Sequence, residues 1–188
     1  MLFFGHEGIT LGAAAIIAGA VNKKDVKGFL KRPWFAALTG YIDVRLLFIG
    51  ALLPDILDKP LGIYILKIDN GRVYAHTLLF LLIISVAGYL LYKSRKQMWL
   101  LILAAGTLAH FILDEMWRMP GTLFWPLMGL SFPREDLSDF LVGMFKEMFT
   151  NHYILTTELI GLLIVIWFMG WLISKRKLGA FVLHGKIS

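Results

Sequence analysis

The stretch VYAHTLLFLLIISVAGYLLY, from Val73 to Tyr92, runs for 20 residues without a Lys, Arg, Asp or Glu. As a helix it would rise about 30 Å, the thickness of a bilayer's hydrocarbon core. It ends in Lys93, Arg95 and Lys96, the kind of basic flank that holds a spanning helix in register. A membrane span is therefore expected here, and the rest of the chain repeats the pattern.

Four further apolar runs flank it: Leu2 to Val21, Tyr41 to Leu57, Gln97 to Trp117 and Tyr153 to Ser174. The first is rich in Gly and Ala, which suits close helix–helix approach. The second is short, with Asp43 and Arg45 near its start, and is expected to be only partly immersed. From Arg118 to Asn151 the chain is mixed and broken by Pro120, Pro126 and Pro133. Short interfacial helices are expected there, one of them over Leu137 to Phe149. The reading is an all-α, polytopic membrane helical bundle of about five hydrophobic segments. It forms a single membrane-embedded domain over 1–188, with a basic cytoplasmic tail from about residue 175.

Composition agrees. Hydrophobic residues make up 58% of the 188 residues, more apolar surface than a soluble fold of this size can cover. The net charge is +6, but the basic residues gather beside apolar runs, so membrane orientation rather than nucleic-acid binding is expected. No cysteine is present, which excludes disulfides and thiolate metal sites. No basic stretch precedes the first apolar run, so a cleaved signal peptide is not expected.

The basic clusters lie at 23–32, 93–96 and 175–177, after the first, third and fifth runs. With five crossings they share one side, the cytoplasmic one by the positive-inside rule. The C-terminus is then cytoplasmic in the cell membrane. His6, Glu7, Asp55, Asp58, His76, His110, Asp114 and His152 all fall at the opposite, outer ends of their segments. His184 sits in the inner tail as a solvated residue.

Ionisable groups at such depth are costly and point to function. His110 and Asp114, four apart, share one helix face. They could grip a divalent metal, or simply hydrogen-bond each other. Asp55 follows Pro54 at the end of a run, where an interfacial turn would also place an acid. His76 and His6 each have a bland reading too, as a satisfied interfacial ring and a terminal residue. Taken together, His6, Asp55, His76, His110 and Asp114 make an N/O ligand set for zinc, with manganese or iron as alternatives. Glu158, inside the fifth run, needs a polar partner and is a candidate outer partner of those ligands. Arg72 is placed to meet an anionic substrate or a carboxylate, or to snorkel to the interface.

At these residues the chain resembles the membrane-bound metal-dependent hydrolases, inner-membrane proteins once described as LexA-binding. The resemblance runs through Gly5-His6, then Gly50 to Asp55 with Leu52 and Pro54, then Gly71-Arg72 and His76-Thr77. It continues with His110 and Asp114 and ends on Trp125-Pro126. Asp58 stands where that family often has a His, and Gly71 stands where it has the first His of its H-R-G motif. The family is distantly similar to zinc-dependent phospholipase C. The resemblance implies a metal-dependent hydrolase, with Arg72 and Asp58 as catalytic candidates. The partners expected are the lipid bilayer and a phospholipid or lipid-linked phosphoester at the outer interface. Two other classes stay open: a non-catalytic metal-binding membrane protein, and a small transporter.

Overall fold

The computed structural model describes residues 3–21, 38, 42–134 and 140–185. Among them the chain is helix joined by turns and irregular loops, with no strand. Helix α1 covers Phe3–Val21, α2 Val44–Lys59, α3 Leu78–Arg95, α4 Trp99–Leu113, α5 Phe140–Thr150, α6 His152–Ser174 and α7 Leu178–His184. Helices α1, α3 and α6 are long and apolar enough to cross a membrane. Helices α2 and α4, at 16 and 15 residues, are shorter than the usual span. The basic cluster at 23–32 lies outside the described residues.

Small residues set how the helices run. Gly50 of α2 lies against the backbone of Leu103, and Gly106 of α4 lies against Leu47 and Ala51. The two helices are in backbone contact there, the close approach that glycine permits, and they run parallel, because further along both of them His110 meets Ala51 and Asp55. Helix α1 packs parallel to α6 through Gly8 and Gly161, with Gly12 against Ile164 one turn further on. Helix α3 turns back antiparallel onto α4, where Gly88 meets Leu101 and Leu81 clusters with Phe111.

Pro54 sits inside α2. A proline there has no N–H for the carbonyl four residues back, that of Gly50. The Thr107 hydroxyl donates to this carbonyl at 3.2 Å, so the freed acceptor is satisfied within the bundle, as an apolar solvent demands. Beyond Lys59 the chain continues into a π-helical turn over Pro60–Ile65.

One half of the bundle is apolar. Leu11, Ala15, Leu38, Val44, Phe168, Leu172 and Phe181 form its core, far along α1 and α6 from their N-termini. Helix α7 closes this end, because Arg45 Nη1 donates to the Val182 carbonyl at 2.7 Å and the Val44 amide donates to the Gly185 carbonyl at 3.1 Å. The segment expected to be a basic tail is therefore partly helical and docked. The other half is polar: His6, Asp58, His76, Thr107 and His110 are fully buried there. The large apolar side chains left exposed on α3 and α6, such as Leu82, Ile83, Val86, Leu163 and Ile166, face outward, as a lipid-facing surface requires.

Candidate functional site

The third apolar run begins its helix only at Leu78, capped by the Thr77 hydroxyl, which accepts from the Phe80 amide at 3.1 Å. His76 therefore lies in the loop before α3 rather than on its first turn. The cause is Asp58. Its carboxylate accepts from the amides of Val73, Ala75 and His76 at 2.8, 2.9 and 3.0 Å. Three N–H groups aimed at one carboxylate hold the loop away from helical geometry. Asp58 also accepts from His76 Nδ1 at 2.8 Å.

That last bond fixes the ring. A carboxylate accepts, so His76 Nδ1 carries the hydrogen and Nε2 keeps its lone pair. His110 repeats the arrangement by a different route. Its Nδ1 lies 2.7 Å from the Ala51 carbonyl oxygen, which can only accept, so its Nε2 is also a bare lone pair. The two Nε2 atoms face each other at 3.2 Å. Two bare acceptors do not hydrogen-bond. The spacing suits two ligands of one cation with bonds of about 2 Å, or a single proton shared between the rings.

Carboxylates and a third imidazole surround this pair. Asp55 Oδ1 is 3.6 Å from His76 Nε2, and Asp114 Oδ2 is 3.8 Å from His110 Nε2. The His6 ring stacks on His110 with centroids 4.2 Å apart. His6 Nε2 approaches Asp114 Oδ1 to 3.1 Å, close enough for an ion pair but not aligned as a hydrogen bond. Ligand atoms of His76, His110 and Asp114 lie within 4.8 Å of one another, and so do those of His6, Asp55 and His110. Five side chains from α1, α2, the 70–77 loop and the end of α4 thus meet at one place.

The deep wall is closed, since His6, His76 and His110 are fully buried. The rim is half-open and cationic. Lys59 Nζ bonds Asp55 Oδ2 at 2.7 Å, and the Arg72 side chain reaches Asp114 Oδ2 through Nε and Nη2 at 3.2 Å each. Lys59 and Arg72 side chains remain about a third exposed. Asn70 is buried and accepts from the Arg72 amide at 2.6 Å while donating to the Pro133 carbonyl at 2.5 Å. It ties the Arg72 loop to the segment carrying Trp125 and Phe132, whose rings pack edge-on against Tyr74.

The remaining candidates fall outside this cluster. Asp58 stands behind His76 with its oxygens turned to the loop backbone, so it does not face the opposed nitrogens. His152 and His184 are exposed. Glu7 is buried, with neither carboxyl oxygen hydrogen-bonded among the described residues. Glu158 accepts from the amides of Phe4 and Gly5 at 2.9 and 3.0 Å. Lys59 and Asn70 were not singled out from the sequence. Lys59 had a legible signal, a basic residue four after Asp55; Asn70 had none.

No curated protein and no solved structure matches the chain. A family model does, over residues 1–183, and it is described as YdjM inner membrane protein. With its apolar helices and its buried polar cluster, this chain belongs to the YdjM inner membrane protein family.

Proposed function

We propose that this protein is a metal-dependent membrane hydrolase acting on an anionic phosphoester, lipid or lipid-linked, at the extracytoplasmic interface. The observation that carries the reading is the pair of opposed Nε2 lone pairs on His76 and His110, 3.2 Å apart. Each is fixed by an acceptor behind its ring, the arrangement typical of imidazoles that ligate a metal. Asp55, Asp114 and His6 complete a donor set of nitrogen and carboxylate oxygen, which fits zinc first and manganese or iron next.

When bound, a divalent cation would supply Lewis acidity toward a phosphoryl oxygen and toward water. The chain's own residues do the rest. Arg72 and Lys59 present positive charge at the rim, where an anionic group would enter, and steady the charge that builds during displacement. Asp58 is a positioning residue in this reading: it holds the His76 tautomer and makes no contact with substrate. The apolar half beneath the site argues against the transporter class, because among the described residues its core is lined by apolar side chains rather than by ionisable ones. A metal-binding protein without turnover is the second reading, favoured by one feature: Arg72 already engages Asp114.

The test is metal analysis of the purified chain with and without His110→Ala, followed by release of soluble headgroup from labelled phospholipid. Stoichiometric metal lost in the variant, with chelator-sensitive release, is the expected result. Bound metal with no turnover across phosphoesters would leave the second reading. Absence of metal from the unaltered protein would sink both.

A further inference from the structure

Glu158 is a carboxylate within an apolar run, seven residues into α6. It is buried, and such a group in a membrane helix is costly unless it has partners. Its two oxygens take separate donors on another helix. Oε2 accepts from the Phe4 amide and Oε1 from the Gly5 amide, both across more than 150 residues of sequence. These amides belong to the first turn of α1, whose N–H groups have no partner within the helix. The negative charge also complements the positive end of the helix dipole. His6 is the next residue.

The neighbouring contact leaves no slack. Gly161, one turn on from Glu158, lies against the Phe4 carbonyl and the Gly5 amide so closely that a Cβ there would overlap them. The first turn of α1 is therefore held from two sides by one turn of α6. His6 itself has little else to place it, since neither ring nitrogen makes an aligned hydrogen bond. It rests on the His110 ring and near Asp114.

We infer that Glu158 is the positioning residue for His6: by gripping the two amides before it, α6 sets where the His6 imidazole enters the site. This rests on the metal-site reading above. Helix α6 contributes none of the five clustered side chains, yet it governs one of them through the backbone.

The test uses the full chain in detergent, titrated with Zn2+ against a competing chelator and with Co2+ for its absorption spectrum. The proteins are the unaltered chain, His6→Ala, Glu158→Ala and the double variant, with Gly161→Ala as a second way to displace the same turn. Glu158→Ala is expected to weaken metal binding about 10-fold, the scale of losing a residue that orients a ligand. The double variant should be no weaker than His6→Ala alone, because both changes remove the same contact. The cobalt spectra of Glu158→Ala and Gly161→Ala should shift toward that of His6→Ala. Should Glu158→Ala fail to fold, Glu158→Gln keeps one acceptor oxygen, and a smaller loss with the same spectral shift is expected. Unaltered affinity and spectrum in the Glu158 variants, or a loss that adds in full to that of His6→Ala, would overturn the inference while the metal site stands. No metal bound by the unaltered chain would overturn both.

Discussion

The most informative side chain is Asp58, because its work is all done through hydrogen bonds rather than exposure. It fixes three amides of the 70–77 loop and the His76 tautomer together. Asp58→Asn keeps one acceptor oxygen and turns an NH2 group toward those donors. Metal affinity should fall by about 10- to 100-fold, as for other partners that orient a ligand, in the same chelator competition used for the His variants. Asp58→Ala should do more, leaving buried donors unpaired at roughly 1–3 kcal/mol each, and should lower the yield of folded protein. Arg72 makes a contrasting prediction. Its fork is aimed at Asp114 from the half-open rim, so Arg72→Lys retains charge but not the paired geometry. Metal binding should survive while headgroup release drops by about 100-fold, the scale for one lost charge-stabilising donor. An equal loss of metal would instead make Arg72 part of what holds Asp114. The ligand candidates were readable in the sequence because polar residues at the ends of apolar runs stand out. The partners behind them were not. An acid three residues beyond Asp55 looks the same whether it faces a ligand or three amides.

At the level of helices, the α2–α4 contact is the most constrained. A methyl group on Gly106 would press into the backbone of Leu47, Gly50 and Ala51. These are residues beside the carbonyl that orients His110, so the strain would reach the site. Gly106→Ala should destabilise the bundle by about 1–3 kcal/mol, the scale for overpacking, read by thermal unfolding in detergent. Thr107→Val should cost less, roughly 0.6 kcal/mol for an interhelical hydrogen bond in a membrane protein, since only the Gly50 carbonyol freed by Pro54 loses its donor. A larger loss in Thr107→Val than in Gly106→Ala would mean that hydrogen bonding rather than close approach holds the pair. Apolar run length located α1, α3 and α6 to within a few residues, because hydropathy reports burial in lipid directly. It overstated α4, expected to continue to Trp117 but ending at Leu113, since the apolar Met116 and Trp117 belong to a separate 3-10 turn. It gave no hint of the π-helical turn over Pro60–Ile65, which lies beyond the apolar run that ends at Leu57.

For the whole molecule, helix direction gathers the site at one end of the bundle, and the side of the membrane that end faces is a prediction from charge. Helix α1 is parallel to α6 and α2 to α4, while α3 runs opposite to α4. The start of α1, the end of α2, the start of α3, the end of α4 and the start of α6 therefore share the end that carries the site. The basic residues of 93–96 and 175–177 lie at the other end, which the positive-inside rule assigns to the cytoplasm. The chain has no cysteine, so a single introduced thiol reports its own side without background. Ser94→Cys at the end of α3 and Met128→Cys in the segment after Pro126 are both at exposed positions. A membrane-impermeant maleimide added to intact cells should label Met128→Cys at once and Ser94→Cys only after permeabilisation. A reporter fused at residue 188 should read cytoplasmic. The reverse labelling would keep the bundle but move the site to the cytoplasmic leaflet, and the substrate would have to be sought among cytosolic phosphoesters. Labelling of both thiols from the same side would break the parity of the helices. The five clustered side chains could then not lie at one depth in a bilayer, and the argument for a single interfacial site would fail with the topology.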